Sequence, residues 1–138
     1  MTESKPLTIL VLEDVPEMGE LIRTTLEGLG TAPKRPEVRV TWVKTVLEAS
    51  RAILKHRPDG VLLDEIVPHE NPLELLREPA LKGVPVVLIT ASPVVGRTVP
   101  PGALARIPKW GWREVNSARD RVLSLLFGPE VLRLTGNV

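Results

Sequence analysis

Cysteine is absent from all 138 residues, which excludes disulfides, thiolate metal sites and thiol nucleophiles. No segment approaches the ~18 consecutive apolar residues that a membrane-spanning helix requires. Basic residues form no dense run and the formal net charge is only +1, so a large footprint on a nucleic-acid backbone is not expected. Nothing resembling a recognition-helix unit follows the last helical pattern. The opening residues Met1-Thr2-Glu3-Ser4-Lys5-Pro6 have no apolar stretch of the kind that marks secretion, so a cytoplasmic location is expected. Glutamine is missing and asparagine occurs three times, while proline occurs fourteen times and twelve of the eighteen basic residues are arginine. That mix fits a thermophilic source or a GC-rich genome equally well.

What is present is the composition of one ordinary soluble domain, 43% hydrophobic and 25% charged. Residues 1–6 read as a tail, 7–128 as the domain and 129–138 as a second tail. Thr8-Ile9-Leu10-Val11-Leu12 is a continuous apolar run, as expected of a strand buried on both faces. Met18, Leu21, Ile22, Leu26 and Leu29 then recur at helical spacing, with Gly28 and Gly30 able to close the helix. Val38, Val40 and Trp42 alternate like a strand. Val46, Leu47, Ser50, Ile53 and Leu54 predict the inward face of a second helix, ending before Pro58.

Gly60 to Leu63 predicts a third strand, Leu73 to Arg77 a short helix, and Val84 to Ile89 a fourth strand. Residues 92–102 hold Pro93, Gly96, Pro100, Pro101 and Gly102, a composition that rules against a regular helix. Ala103 to Ile107 predicts a fifth strand. Val115, Ala118, Val122, Leu125 and Leu126 predict the inward face of a last helix, closed by Gly128-Pro129. Apolar strands alternating with helices argue for a parallel sheet covered on both faces. A flavodoxin-like doubly wound α/β fold is expected, with five strands in the order 2-1-3-4-5 and the fourth helix degenerate or missing.

In such sheets ligands bind beyond the carboxyl ends of the strands. Five polar residues stand at those ends: Glu13 and Asp14, Asp64, Thr90 and Lys109. Three converging carboxylates raise one another's pKa unless a cation lies among them. A hard divalent ion, Mg²⁺ above all, answers that need with oxygen ligands and retained water. It would let a carboxylate attack an anionic phosphorus centre. Each residue alone has a plainer reading, as helix N-terminal charge, turn former, strand end or solvated lysine.

Taken together, Leu12-Glu13-Asp14, Leu62-Leu63-Asp64, Ile89-Thr90-Ala91 and Pro108-Lys109 resemble the response-regulator receiver family. The stretch from Pro58 to Pro68 is similar to that family's phosphorylation loop, including the proline four residues after the acceptor. The resemblance covers roughly residues 7–127. It implies that Asp64 accepts a phosphoryl group and that Asp14, Asp64 and the Ile66 backbone carbonyl ligate Mg²⁺, with Glu13 holding a metal-bound water. It implies that Lys109 and Thr90 bind the phosphoryl group, Lys109 assisting the transfer. A histidine kinase or phosphotransfer protein would be the donor and another protein the target. The domain would be no enzyme beyond assisting its own phosphorylation and dephosphorylation.

Departures from the family pattern are equally specific. The order Pro108-Lys109-Trp110 replaces the usual Lys-Pro, and Arg106 stands where an aromatic switch residue is common. Ile66 is apolar at a position that often orients the attacking water, so slow dephosphorylation is expected. A binding module of the same fold that no longer uses phosphorylation is the alternative, and a metal-carboxylate enzyme ranks last because no glycine-rich phosphate loop is visible. His69 reads as an exposed loop histidine or a site neighbour. Trp110 and Trp112 read as a partner contact or as packing on the last helix. Val131, Leu132 and Leu134 could serve a docking or homodimer segment.

Overall fold

The computed structural model describes residues 5–28, 36–91, 98–109, 112 and 115–135. In chain order it builds β1 (Leu7–Leu12), α1 (Pro16–Glu27), β2 (Val38–Val43), α2 (Val46–Lys55), β3 (Gly60–Asp64), β4 (Val86–Thr90), β5 (Ala105–Pro108) and α3 (Val115–Phe127). Short 3₁₀ helices cover Pro72–Arg77, Pro79–Leu81 and Pro129–Thr135. The strands pair in parallel in the order β2-β1-β3-β4-β5, as the sequence predicts.

Local chemistry sets the element ends. Pro16 opens α1, where its missing N–H costs nothing. Gly28 closes it at φ 69°, a left-handed conformation that glycine adopts without a Cβ clash. Thr45 caps α2 by accepting the Glu48 N–H at 3.1 Å.

Alternation along the strands splits the core in two. Ile9, Val11, Leu62, Val87, Ile89 and Ile107 meet Ile22 and Leu26 of α1 and Val122, Leu123 and Leu126 of α3. Leu10, Leu12, Val61, Leu63, Val86 and Leu88 face Ala49 and Ile53 of α2, with Leu75 and Leu81 of the 3₁₀ segments. Each fully buried aliphatic side chain contributes roughly 1.5–3 kcal/mol.

Three expectations need correction. The buried face of α2 is built on Ala49 and Ile53, whereas Leu47 and Leu54 are 57% and 70% exposed. Ala49 and Ile53 lie four residues apart on one face of the helix, and Leu47 and Leu54, seven apart, share another. On α3 the inward face also takes Leu123 and Arg119, both buried, while Leu125 is half-buried and packed against the core. Arg119 donates from Nε to the Leu26 carbonyl at 3.0 Å and from Nη2 to the Pro36 carbonyl at 2.6 Å. It thereby satisfies backbone oxygens where α1 ends and β2 begins. Third, the short helix after β3 is 3₁₀ in type and opens at Pro72.

Residues 98–104 form no helix, consistent with their prolines, while residues 92–97 lie outside the described residues. Trp112 is buried against the α1 and α3 side of the core; Trp110 lies outside the described residues. Val131 is likewise buried in this domain's own core.

Candidate functional site

The carboxyl ends of β1, β3 and β5 bring Glu13, Asp14, Asp64 and Lys109 together. Alternation continues past each strand end: Glu13 follows Val11, Asp64 follows Leu62 and Lys109 follows Ile107, so these side chains share the α1 and α3 side. Lys109 Nζ donates to Asp64 Oδ2 at 2.8 Å and to Glu13 Oε1 at 3.0 Å. The second Glu13 oxygen, Oε2, lies 2.9 Å from the same ammonium, completing the ion pair. Glu13 and Asp64 are almost wholly buried, while Asp14 is half-exposed at the cluster's outer side.

The backbone holds this arrangement rigidly. The Ile66 N–H donates to Asp64 Oδ1 at 3.1 Å, the Val15 N–H to Glu13 Oε1 at 3.2 Å and the Trp42 indole N–H to the Glu13 carbonyl at 2.9 Å. The indole sits directly over Gly19 of α1, where any Cβ would overlap the ring. Gly19 therefore allows Trp42 to lie flat enough to reach Glu13.

Burial pushes the Asp64 carboxyl up to about 7, with Lys109 opposing the shift and the Glu13 charge adding to it. Burial alone would lower Lys109, yet its bonds to Asp64 and Glu13 hold its pKa above the ordinary lysine value. The Glu13, Asp14 and Asp64 ligand atoms all lie within 4.8 Å of one another. With one lysine among three carboxylates, an ionised cluster keeps two uncompensated negative charges. All-oxygen donors and that residual charge together suit a hard divalent cation that retains water.

Thr90 is buried at the end of β4, and the Lys109 N–H donates to its carbonyl at 2.9 Å. Its register partner is Pro108, so alternation continues the α2 face of β4 to Thr90 at the strand's end. Ile66 is 58% exposed beside the site and His69 is an exposed loop residue at φ 64°.

On the Thr90 side lies a feature that sequence reading missed. Glu65, next to Asp64, forms a bidentate ion pair with Arg106 of β5: Nε to Oε2 at 3.0 Å and Nη2 to Oε1 at 2.6 Å. Both side chains are only 6% exposed. The signal available was an acidic residue directly after Asp64 together with an arginine inside the fifth strand; nothing local says that they meet.

No family model matches the chain. It is 30% identical over 95 residues to the Probable transcriptional regulatory protein TcrX of Mycobacterium tuberculosis, covering 67% of this chain and 38% of that protein. The chain thus spans well under half the length of this curated relative. Among solved structures it is similar to the N-terminal domain of a response regulator receiver protein from Methanoculleus marisnigri (26% identity, TM-score 0.59, 85% of this chain and 96% of that one). It also shares its fold with the response regulator TrrA of Thermotoga maritima in complex with Mg²⁺-BeF (23% identity, TM-score 0.67, 87% and 99% coverage).

Proposed function

This chain is a receiver domain of the CheY-like response-regulator family, and from that premise we propose that Asp64 is its phosphoacceptor. The observation that carries the proposal is the Lys109 ammonium held between Asp64 and Glu13 at one end of a three-carboxylate cluster. A histidine kinase or phosphotransfer protein serves as donor, and the output is a changed surface read by another protein. The protein works in the cytoplasm; among the described residues no helix is long and apolar enough to cross a membrane.

Mg²⁺, when bound, neutralises the charge that grows on the transferring oxygens. Asp14, Asp64 and the Ile66 carbonyl would hold it, with Glu13 acting through a water. An ionised Asp64 oxygen attacks phosphorus while the bond from phosphorus to the donor breaks and the donor keeps the electron pair. Lys109 pairs with a phosphoryl oxygen once Asp64 is phosphorylated, and the Thr90 hydroxyl donates to another.

Incubation with acetyl phosphate and Mg²⁺ adds one phosphoryl group by intact mass, with acetate leaving. Asp64→Asn shows no adduct while remaining folded. An adduct of equal yield on that variant sinks the assignment. Ile66 cannot orient water, so loss of the phosphoryl group is slow. Ile66→Asn accelerates that loss by about tenfold, on the order of 1 kcal/mol in the barrier, in a time course followed by mass. An unchanged rate means that position 66 does not touch the attacking water.

A second reading is a binding module that does not use phosphorylation. It draws support from Arg106, paired with Glu65 where an aromatic switch is expected. Wild-type protein that is folded, takes up Mg²⁺ and still gains no adduct favours it.

A further inference from the structure

The peptide that joins Glu13 to Asp14 is held by a side chain from the neighbouring strand. The Trp42 indole N–H donates to the Glu13 carbonyl at 2.9 Å, while the Glu13 N–H donates to the Val43 carbonyl at 3.0 Å. Strand pairing stops at Leu12 and Val43, where β2 turns toward α2. The indole therefore stands in for a ladder donor at the first carbonyl past the end of β1. Two neighbours fix the ring. A Cβ on Gly19 of α1 would overlap it, and the Lys44 ammonium lies 5.3 Å from its centroid, within reach of a cation–π contact. Glu13 has further anchors in the Val15 N–H and Lys109. Asp14 is different: among the described residues no hydrogen bond or ion pair holds its half-exposed carboxylate. Its aim at Glu13 and Asp64 depends on the peptide plane before it, the one that Trp42 pins.

We infer that Trp42 is a positioning residue: its indole N–H, seated by Gly19, sets the direction of the Asp14 carboxylate and with it the affinity of the acidic cluster for a divalent cation. This rests on Glu13, Asp14 and Asp64 holding that cation. A hard ion asks for oxygens at fixed distances, and ligands already in place lose less freedom when it arrives. Groups that only orient a ligand commonly alter metal affinity by tenfold or more. Without the donor the Glu13–Asp14 peptide is free to swing, so the ligand set is unchanged while binding weakens. Asp64 and Lys109 belong to β3 and to the end of β5 and keep their own contact. The loss therefore falls on metal uptake and spares the transfer step.

The test is calorimetric titration of Mg²⁺ into metal-free protein. Trp42→Phe keeps an aromatic ring over Gly19 and removes the donor; it binds Mg²⁺ about tenfold more weakly than wild type. Gly19→Ala pushes the ring off its seat and weakens binding by a similar factor with every atom of Trp42 retained. The double variant binds no more weakly than Trp42→Phe, because both changes remove the same hydrogen bond. Val40→Ala, on the same face of β2, lowers the urea midpoint at least as far as Trp42→Phe and leaves Mg²⁺ affinity as it was. In reactions with acetyl phosphate, Trp42→Phe needs about ten times more Mg²⁺ for its half-maximal rate and reaches the same maximum. Wild-type Mg²⁺ affinity in folded Trp42→Phe overturns the inference. So does an equal loss in Val40→Ala, which would mark general loosening, or a lowered maximum rate at unchanged Mg²⁺ demand. Wild-type protein that is folded and takes up no Mg²⁺ overturns the metal site itself, and the inference with it.

Discussion

Arg106→Met alone costs about 3–5 kcal/mol of stability, a loss that urea titration resolves easily. The cause is the charge left behind. Glu65 is as buried as its partner and receives two guanidinium bonds, so removing the arginine takes both bonds from a carboxylate held in a dry setting. Combining that change with Glu65→Gln removes the stranded charge, and most of the lost stability returns. The pair therefore couples strongly in a double-mutant cycle while contributing little net stability against a neutral replacement. A single-variant cost below about 1 kcal/mol would mean that water reaches the pair and that it acts as a surface ion pair.

Asp64→Asn has the opposite effect on stability: in metal-free protein at pH 8 the variant is the more stable one. Unfolded Asp64 titrates near 3.9, and in the folded cluster it titrates near 7 because of burial and the Glu13 charge, against the pull of Lys109. Between those values the folded chain holds a proton that the unfolded chain has released. Wild-type stability is therefore fully present below about pH 4 and falls as pH rises through 7. Asp14, at the outer side, adds to the negative charge facing Asp64.

With a discount for water reaching that side, the loss is about 1–3 kcal/mol. Asp64→Asn abolishes this dependence. Divalent cation reverses it, since Mg²⁺ prefers the ionised cluster and stabilises by about 2.7 kcal/mol at a hundredfold excess over its dissociation constant. Thermal melts from pH 5 to 8.5, with chelator and with Mg²⁺, check both signs. A wild-type stability that rises with pH in chelator would show that Asp64 is ionised throughout.

Much of this was legible in the order of residues. Unbroken apolar runs such as Ile9 to Leu12 and Val61 to Leu63 leave a chain little choice but doubly covered parallel strands. The polar residue that ends each run is then placed at the sheet's carboxyl edge. The Glu13, Asp14, Asp64 and Lys109 cluster follows from that rule. The inward face of α2 was not legible, because Leu47 and Ala49 are both compatible with helix. Packing against the sheet buries Ala49 and leaves Leu47 exposed. Arg119 was hidden for the same reason: an arginine at a helical inner position reads as misplaced until the carbonyls of Leu26 and Pro36, 93 and 83 residues away, are seen to need its donors.

Local periodicity and strand-end chemistry thus determined, from the sequence by itself, the fold class, the strand order and the acidic cluster with its lysine. Both depend on short-range patterns that the backbone reads directly. The tertiary structure alone decided which of the polar side chains meet. It set the Lys109 ammonium between Asp64 and Glu13 and joined Glu65 to Arg106 across 41 residues of chain. Those outcomes depend on register between β3, β4 and β5 and on which donors burial brings within 3 Å. Spacing along the chain does not encode either quantity.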